Sequence, residues 1–183
     1  INHNEEKDII ELLSKNENRV VVIHPRGTGY SDGIRGDISN FSDFINDYSE
    51  IITKDKDYKS KQHKIFLFGH SMSTSVLLAA AENLKNIAGA VLVNPPYIQK
   101  KAKGMSPGVG QYFKYAWYYL FAKHKPIVNM AGDHSKIENE ADRREAEKRV
   151  NDPLLVNYFS LHYMNEVKKL INSTLEYCRK ADY

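Results

Sequence analysis

The sequence predicts an α/β fold in which helices flank a parallel sheet and a helical region follows the third strand. Three observations carry that prediction. Short, continuous apolar runs at 19–24, 64–68 and 88–93 have the length and composition of buried strands. Helical patterns lie between them, and strands alternating with helices pair in parallel through right-handed crossovers. The pentapeptide Gly69-His70-Ser71-Met72-Ser73 stands where the second run gives way to a helix. Ligands of such sheets bind beyond the carboxyl ends of the strands, and Ser71 falls at that edge.

Each element has its own signal. Residues 5–15 read as a helix with Ile9, Ile10, Leu12 and Leu13 on the apolar side. The run Arg19-Val20-Val21-Val22-Ile23-His24 reads as the first strand, and Gly27, Gly29 and Gly33 mark the loop after it. Phe41, Phe44, Ile45, Tyr48, Ile51 and Ile52 keep the three-and-four spacing of a helix near 42–53. Residues 54–63 read as a polar loop. The second strand is 64–68, and the helix after Ser71 is expected to bury Val76, Leu77, Ala80, Ala81 and Leu84. The third strand, 88–93, ends at Asn94-Pro95-Pro96.

Beyond Pro96 no strand is evident, and the boundary is placed there: 1–96 as a core carrying the elbow, 97–183 as a helical cap. Residues 97–111 read as a loop. The aromatic stretch 112–121 has two readings, the lining of an acyl tunnel or lipid contact, and a cap helix packing its rings inward. A charged helix over 135–150 starts with the capping-box pattern Ser135 to Glu138. A last helix is expected over 158–178.

Composition narrows the function. With 183 residues, 42% hydrophobic and 27% charged, the chain is about one domain of a soluble globular protein. A net charge of +3 is too small and scattered to point to nucleic acid. The lone Cys178 suits a reducing compartment, with the cytoplasm as the expectation. No apolar run approaches the ~18–20 residues that span a bilayer. No spacing of His, Cys, Asp or Glu points to a metal.

The chemistry centres on Ser71. A strand, a very tight turn and a helix make a nucleophile elbow, which lifts the hydroxyl clear of the sheet at a helix N-terminus. Small residues must flank the serine, and Gly69 and Ser73 are small, although the usual last residue of the pattern is glycine. His70 stands beside Ser71 in the turn and is read as a packing or hydrogen-bonding residue. The glycine loop, Gly27-x-Gly29-x-x-x-Gly33, matches neither the dinucleotide fingerprint nor a phosphate loop.

Two segments together are more specific. His24-Pro25-Arg26-Gly27-Thr28-Gly29-Tyr30-Ser31-Asp32-Gly33 resembles the R-G-x-G-x-S-x-G loop of α/β-hydrolases, and Gly69 to Ser73 resembles their G-H-S-M-G elbow. The branch most resembled is that of monoacylglycerol lipases, lysophospholipases and serine aminopeptidases. Asp152-Pro153-Leu154 matches a motif of its cap. The resemblance implies acyl transfer from carboxylic esters, with Ser71 as nucleophile and the Met72 N–H as an oxyanion donor. It places Arg26, Gly27, Gly29 and Ser31 beside the site. It implies no cofactor, a small acyl-ester or lipid substrate and transient contact with a membrane surface.

In that family the second oxyanion donor follows a strand expected before residue 1, and the acid and histidine are expected after Tyr183. The α/β-hydrolase-type sheet is therefore expected to be incomplete at both ends. An alternative completes the order Ser71, Asp133, His162 within the chain, although the resemblance puts Asp133 in the cap as a helix-capping residue. Two other readings stay open, an aminopeptidase-like amide hydrolase and a non-catalytic binding module.

Overall fold

The computed structural model describes residues 6–60, 62–85, 87–96, 116–130 and 137–180. In chain order the elements are α1 (Lys7–Lys15), α2 (Ser42–Lys54), α3 (Lys56–Ser60), β1 (Ile65–His70), α4 (Met72–Ala81) and β2 (Ile87–Val93). After a helical segment at 116–121 come β3 (Val128–Asn129), α5 (Glu140–Asn151), β4 (Tyr158–Phe159) and α6 (Leu161–Lys180). The chain forms two compact units. One takes residues 1–37 and 124–161, the other 38–123 and 162–183. Each draws a segment from either side of residue 96.

The second unit holds the parallel pair predicted from the apolar runs. β1 and β2 pair in parallel, with Phe68 opposite Val91 and His70 opposite Val93. Leu67 and Gly69 are buried on one face, while Phe66, Phe68, Val91 and Val93 are exposed. α4 packs on β1 and on α2. Its residues Thr74 to Ala80 are all buried, whereas Ala81 and Leu84 are only half-buried. One face was expected to be buried, but a helix of Val, Leu and Ala on all sides can be enclosed on all sides.

α2 buries Phe44, Tyr48 and Ile52, one residue per turn, as its spacing predicts. α6 buries Tyr163, Glu166, Leu170 and Thr174 at the same kind of interval. Two polar side chains close the core between α4 and α6, where Ser75 Oγ and Thr174 Oγ1 stand 2.7 Å apart in a buried hydrogen bond. The Glu166 carboxylate accepts the Phe41 N–H at the start of α2 (3.3 Å) and pairs with Lys169 (2.5 Å). A negative charge at a helix N-terminus complements its dipole.

The first unit is bound by its loops. Arg35 donates to the carbonyls of Pro153 (2.9 Å) and Leu155 (2.8 Å), and the Gly29 N–H donates to Leu154 O (3.0 Å). Asp37 is buried between Ser160 Oγ and His124 Nδ1, the latter at 2.8 Å.

Several expectations need correction. Residues 19–24 form no helix and belong to neither described sheet, and Val21 and Val22 are exposed. A β-branched run becomes a strand only when a ladder satisfies its backbone. The loop 54–63 contains α3. The second half does contain strands, since β3 and β4 pair antiparallel over two residues each. Runs that short leave no periodicity to read. The charged helix starts later than predicted: Asn139, not Ser135, caps α5, its Oδ1 accepting the N–H groups of Ala141 and Asp142. The last helix starts at Leu161 because Tyr158 and Phe159 are in β4. Residues 97–115, which include the predicted loop and Tyr112, Phe113 and Tyr115, lie outside the described residues, as does Asp133.

Candidate active site

The end of β1 and the start of α4 put Ser71 at a turn of unusual geometry. Its φ and ψ are 54° and −127°, a combination that side-chain-bearing residues rarely adopt. Holding it there costs about 1–3 kcal/mol, which the surrounding structure must offset. Two sets of bonds do so. The Ser71 N–H donates to Val93 O (2.9 Å), continuing the β1–β2 ladder one residue further. The Ser71 carbonyl accepts both the Thr74 N–H (3.0 Å) and the Thr74 hydroxyl (2.7 Å). With its backbone pinned at both ends, Ser71 itself remains exposed.

Gly69 shows why the turn needs a small residue before the serine. A Cβ there would lie 2.8 Å from Leu77 Cδ1 and 3.2 Å from the Thr74 backbone. His70 ends β1 half-buried, and the Asn94 amide reaches its Nε2 at a long 3.4 Å. Asn94 has a positive φ of 49° at the end of β2, a conformation that Asn tolerates better than most residues. Met72 and Ser73 open α4, where the first-turn N–H groups have no intrahelical acceptor. The Tyr163 hydroxyl donates to Met72 Sδ at 3.7 Å.

The glycine-loop residues lie in the other unit. Arg26 and Ser31 are exposed there, and Ser31 Oγ donates to the His24 carbonyl (2.7 Å). Gly27 is buried with φ 71°, and a Cβ on it would come within 2.4 Å of Ile34 O. His24 Nδ1 accepts the Tyr30 N–H at 3.0 Å.

The histidines are engaged in other ways than the sequence implied. His162 Nε2 donates to Ser39 O at 2.8 Å, which occupies the nitrogen a base would use. His124 is held by Asp37 from 87 positions away. Among the described residues no group of three His, Cys, Asp or Glu is placed to hold a metal ion. Sequence reasoning missed Asn94 and Tyr163. The Asn94-Pro95-Pro96 strand end and the α6 stripe Tyr163, Glu166, Leu170, Thr174 were the available signals.

This turn can be compared with those of known proteins. A family profile described as "Serine aminopeptidase, S33" matches residues 4–182. The chain belongs to that family. The chain is 34% identical to the monoglyceride lipase of Rattus norvegicus over 91 residues, 48% of this chain and 29% of the relative. The monoacylglycerol lipase of Paleococcus ferrophilus superposes with a TM-score of 0.58 at 20% identity, covering 92% of this chain and 62% of that one. A soluble variant of the Saccharomyces cerevisiae monoglyceride lipase, solved with a substrate analogue, gives 0.58 at 20%, covering 81% and 49%. The fold of this S33 chain is therefore that of the α/β-hydrolases, as its elbow and loop implied. The chain spans less than two thirds of the length of each of these relatives.

Proposed function

We propose that this S33 chain carries the nucleophile of a serine hydrolase acting on carboxylic esters of the monoacylglycerol or lysophospholipid kind. One observation carries the reading: Ser71 is held, strained and exposed, between β1 and the N-terminus of α4. In the reaction, Ser71 Oγ attacks the ester carbonyl and its proton passes to a base. The carbonyl oxygen takes up negative charge, and the Met72 N–H stabilises it. The alcohol leaves, and water then releases the acyl group from Ser71. No step calls for a cofactor.

The base is not among the interactions described around Ser71. His162 is turned to Ser39 O, and His70 sits within the turn itself. We assign neither to the role. A lipid-like substrate agrees with the names of the relatives and with the segment 116–121, where Trp117, Tyr119, Leu120 and Phe121 are exposed. That exposure favours contact with a lipid surface over inward packing of these rings. No helix among the described residues is long and apolar enough to cross a membrane. The exposed thiol of Cys178 agrees with a reducing compartment.

The test is intact-mass analysis after incubation with a fluorophosphonate, comparing the chain with Ser71→Ala. Little adduct is expected on these residues alone, since no base is assigned beside Ser71; one adduct per chain, absent from the variant, would mean that a base is already in place. No adduct on the unsubstituted chain would mean that the catalytic machinery is incomplete within these residues. Turnover of a monoacylglycerol against an aminoacyl anilide then separates ester from amide hydrolysis, and ester preference is expected.

A further inference from the structure

We propose that Tyr163 is a positioning residue for the elbow: its hydroxyl fixes Met72, and through Met72 the backbone N–H that faces the reacting oxygen. The inference rests on the reading of Ser71 as nucleophile and adds to it a residue from the far end of the chain.

The elbow is strained at Ser71, so the residue after it must be held if the strain is to persist. Hydrogen bonds hold the backbone of Ser71 itself, and these reach it through Val93 and Thr74. Met72 is held differently, by its side chain. Its thioether sulfur receives the Tyr163 hydroxyl at 3.7 Å. The Tyr163 ring is buried and stands edge-on to Phe44, with centroids 6.3 Å apart and planes at 77°. Phe44 is itself a fully enclosed residue of α2. Met72 is thus tied to two core helices through one phenol.

Chemistry makes the contact directional rather than strong. A thioether is a weak acceptor, so the contact orients the sulfur more than it binds it. Burial pushes Tyr163 up to about 12, so it remains a donor over the whole range in which an esterase works. Methionine is otherwise a flexible side chain with three rotatable bonds. Fixing its sulfur limits the rotation of the first turn of α4, and with it the aim of the Met72 N–H. Oxyanion stabilisation depends on donors aimed before the charge develops.

The test compares Tyr163→Phe, which keeps the ring, and Met72→Leu, which keeps the bulk, with the double variant. Two readouts are taken on each: the second-order rate of fluorophosphonate labelling, and the NMR line widths of the Ser71 and Met72 amides. Each single variant is expected to label about tenfold more slowly, as small misplacements of reacting groups do. The double variant should be no slower than either single one, because both remove the same contact. Broadening should appear at the Ser71 and Met72 amides and not at Ala79 within α4. Equal labelling rates in Tyr163→Phe, or additive slowing in the double variant, would overturn the proposal. If the unsubstituted chain takes no label, no base is in place beside Ser71 and the labelling rates are silent. The amide signals still decide the positioning role, and unchanged signals in Tyr163→Phe refute it.

Discussion

At the scale of single residues, Ser71 and Gly69 divide the demands of the turn. Ser71 bears the conformational strain, so the cost of its side chain is measurable. Ser71→Gly should exceed Ser71→Ala in stability by about 1 kcal/mol, because glycine alone adopts that backbone freely. Urea denaturation of the two variants measures the difference, and equal midpoints would mean an unstrained turn. Gly69 answers a steric demand instead. Gly69→Ala places a methyl group against Leu77 and the Thr74 backbone and should cost about 1–3 kcal/mol. The same denaturation curves measure that loss. Both features were legible in the sequence, because a serine between small residues at a strand-to-helix junction has few other uses. Asn94 was not, since a positive φ depends on how β2 ends and not on local composition alone. The pairing of Asp37 with His124 was equally hidden, as a contact spanning 87 positions leaves no local trace.

At the scale of elements, apolar spacing located α2 and α4 well because tertiary packing and local pattern agree there. Residues 19–24 show the opposite case, since their composition favours a strand and no ladder among the described residues accepts them. The two-residue strands β3 and β4 are below the length at which alternation can be seen. α6 was legible as a helix, but its buried polar stripe was not. Thr174→Val leaves the buried Ser75 hydroxyl without its partner and should cost about 1–3 kcal/mol. Adding Ser75→Ala should recover part of that loss, because removing both partners is cheaper than removing one. Thermal denaturation of the two variants tests the pair, and no recovery would mean that the hydroxyls contribute independently. Leu170→Ala, at a fully buried position, should cost about 2–5 kcal/mol on the same measure.

At the scale of the whole molecule, the titrating groups of the α2–α4–α6 core set limits at both ends of the pH range. Burial alone would raise Glu166, but the hydrogen bonds from Lys169 and Phe41 and the charges of Lys169 and His162 together hold it below its ordinary 4.5. Its contribution is present above that value and is lost as pH falls through the lower folded one. Tyr48 and Tyr163 are raised, chiefly by burial, so their contributions are complete below the ordinary 10 and fade as pH rises beyond it. Denaturation midpoints measured against pH should therefore decline below about 4.5 and above about 10. Glu166→Gln should flatten the acid side relative to the unsubstituted chain, and an unchanged acid slope would remove Glu166 from the account. The division into two interleaved units has a consequence for synthesis. The chain leaves the ribosome from its N-terminus, and residues 1–37 must wait for 124–161 before their unit can close. Residues 38–123 wait longer still, for the helix that ends at Lys180. α4 therefore emerges well before Thr174 arrives to pair with Ser75, an interval in which a nascent-chain chaperone has the most to shield.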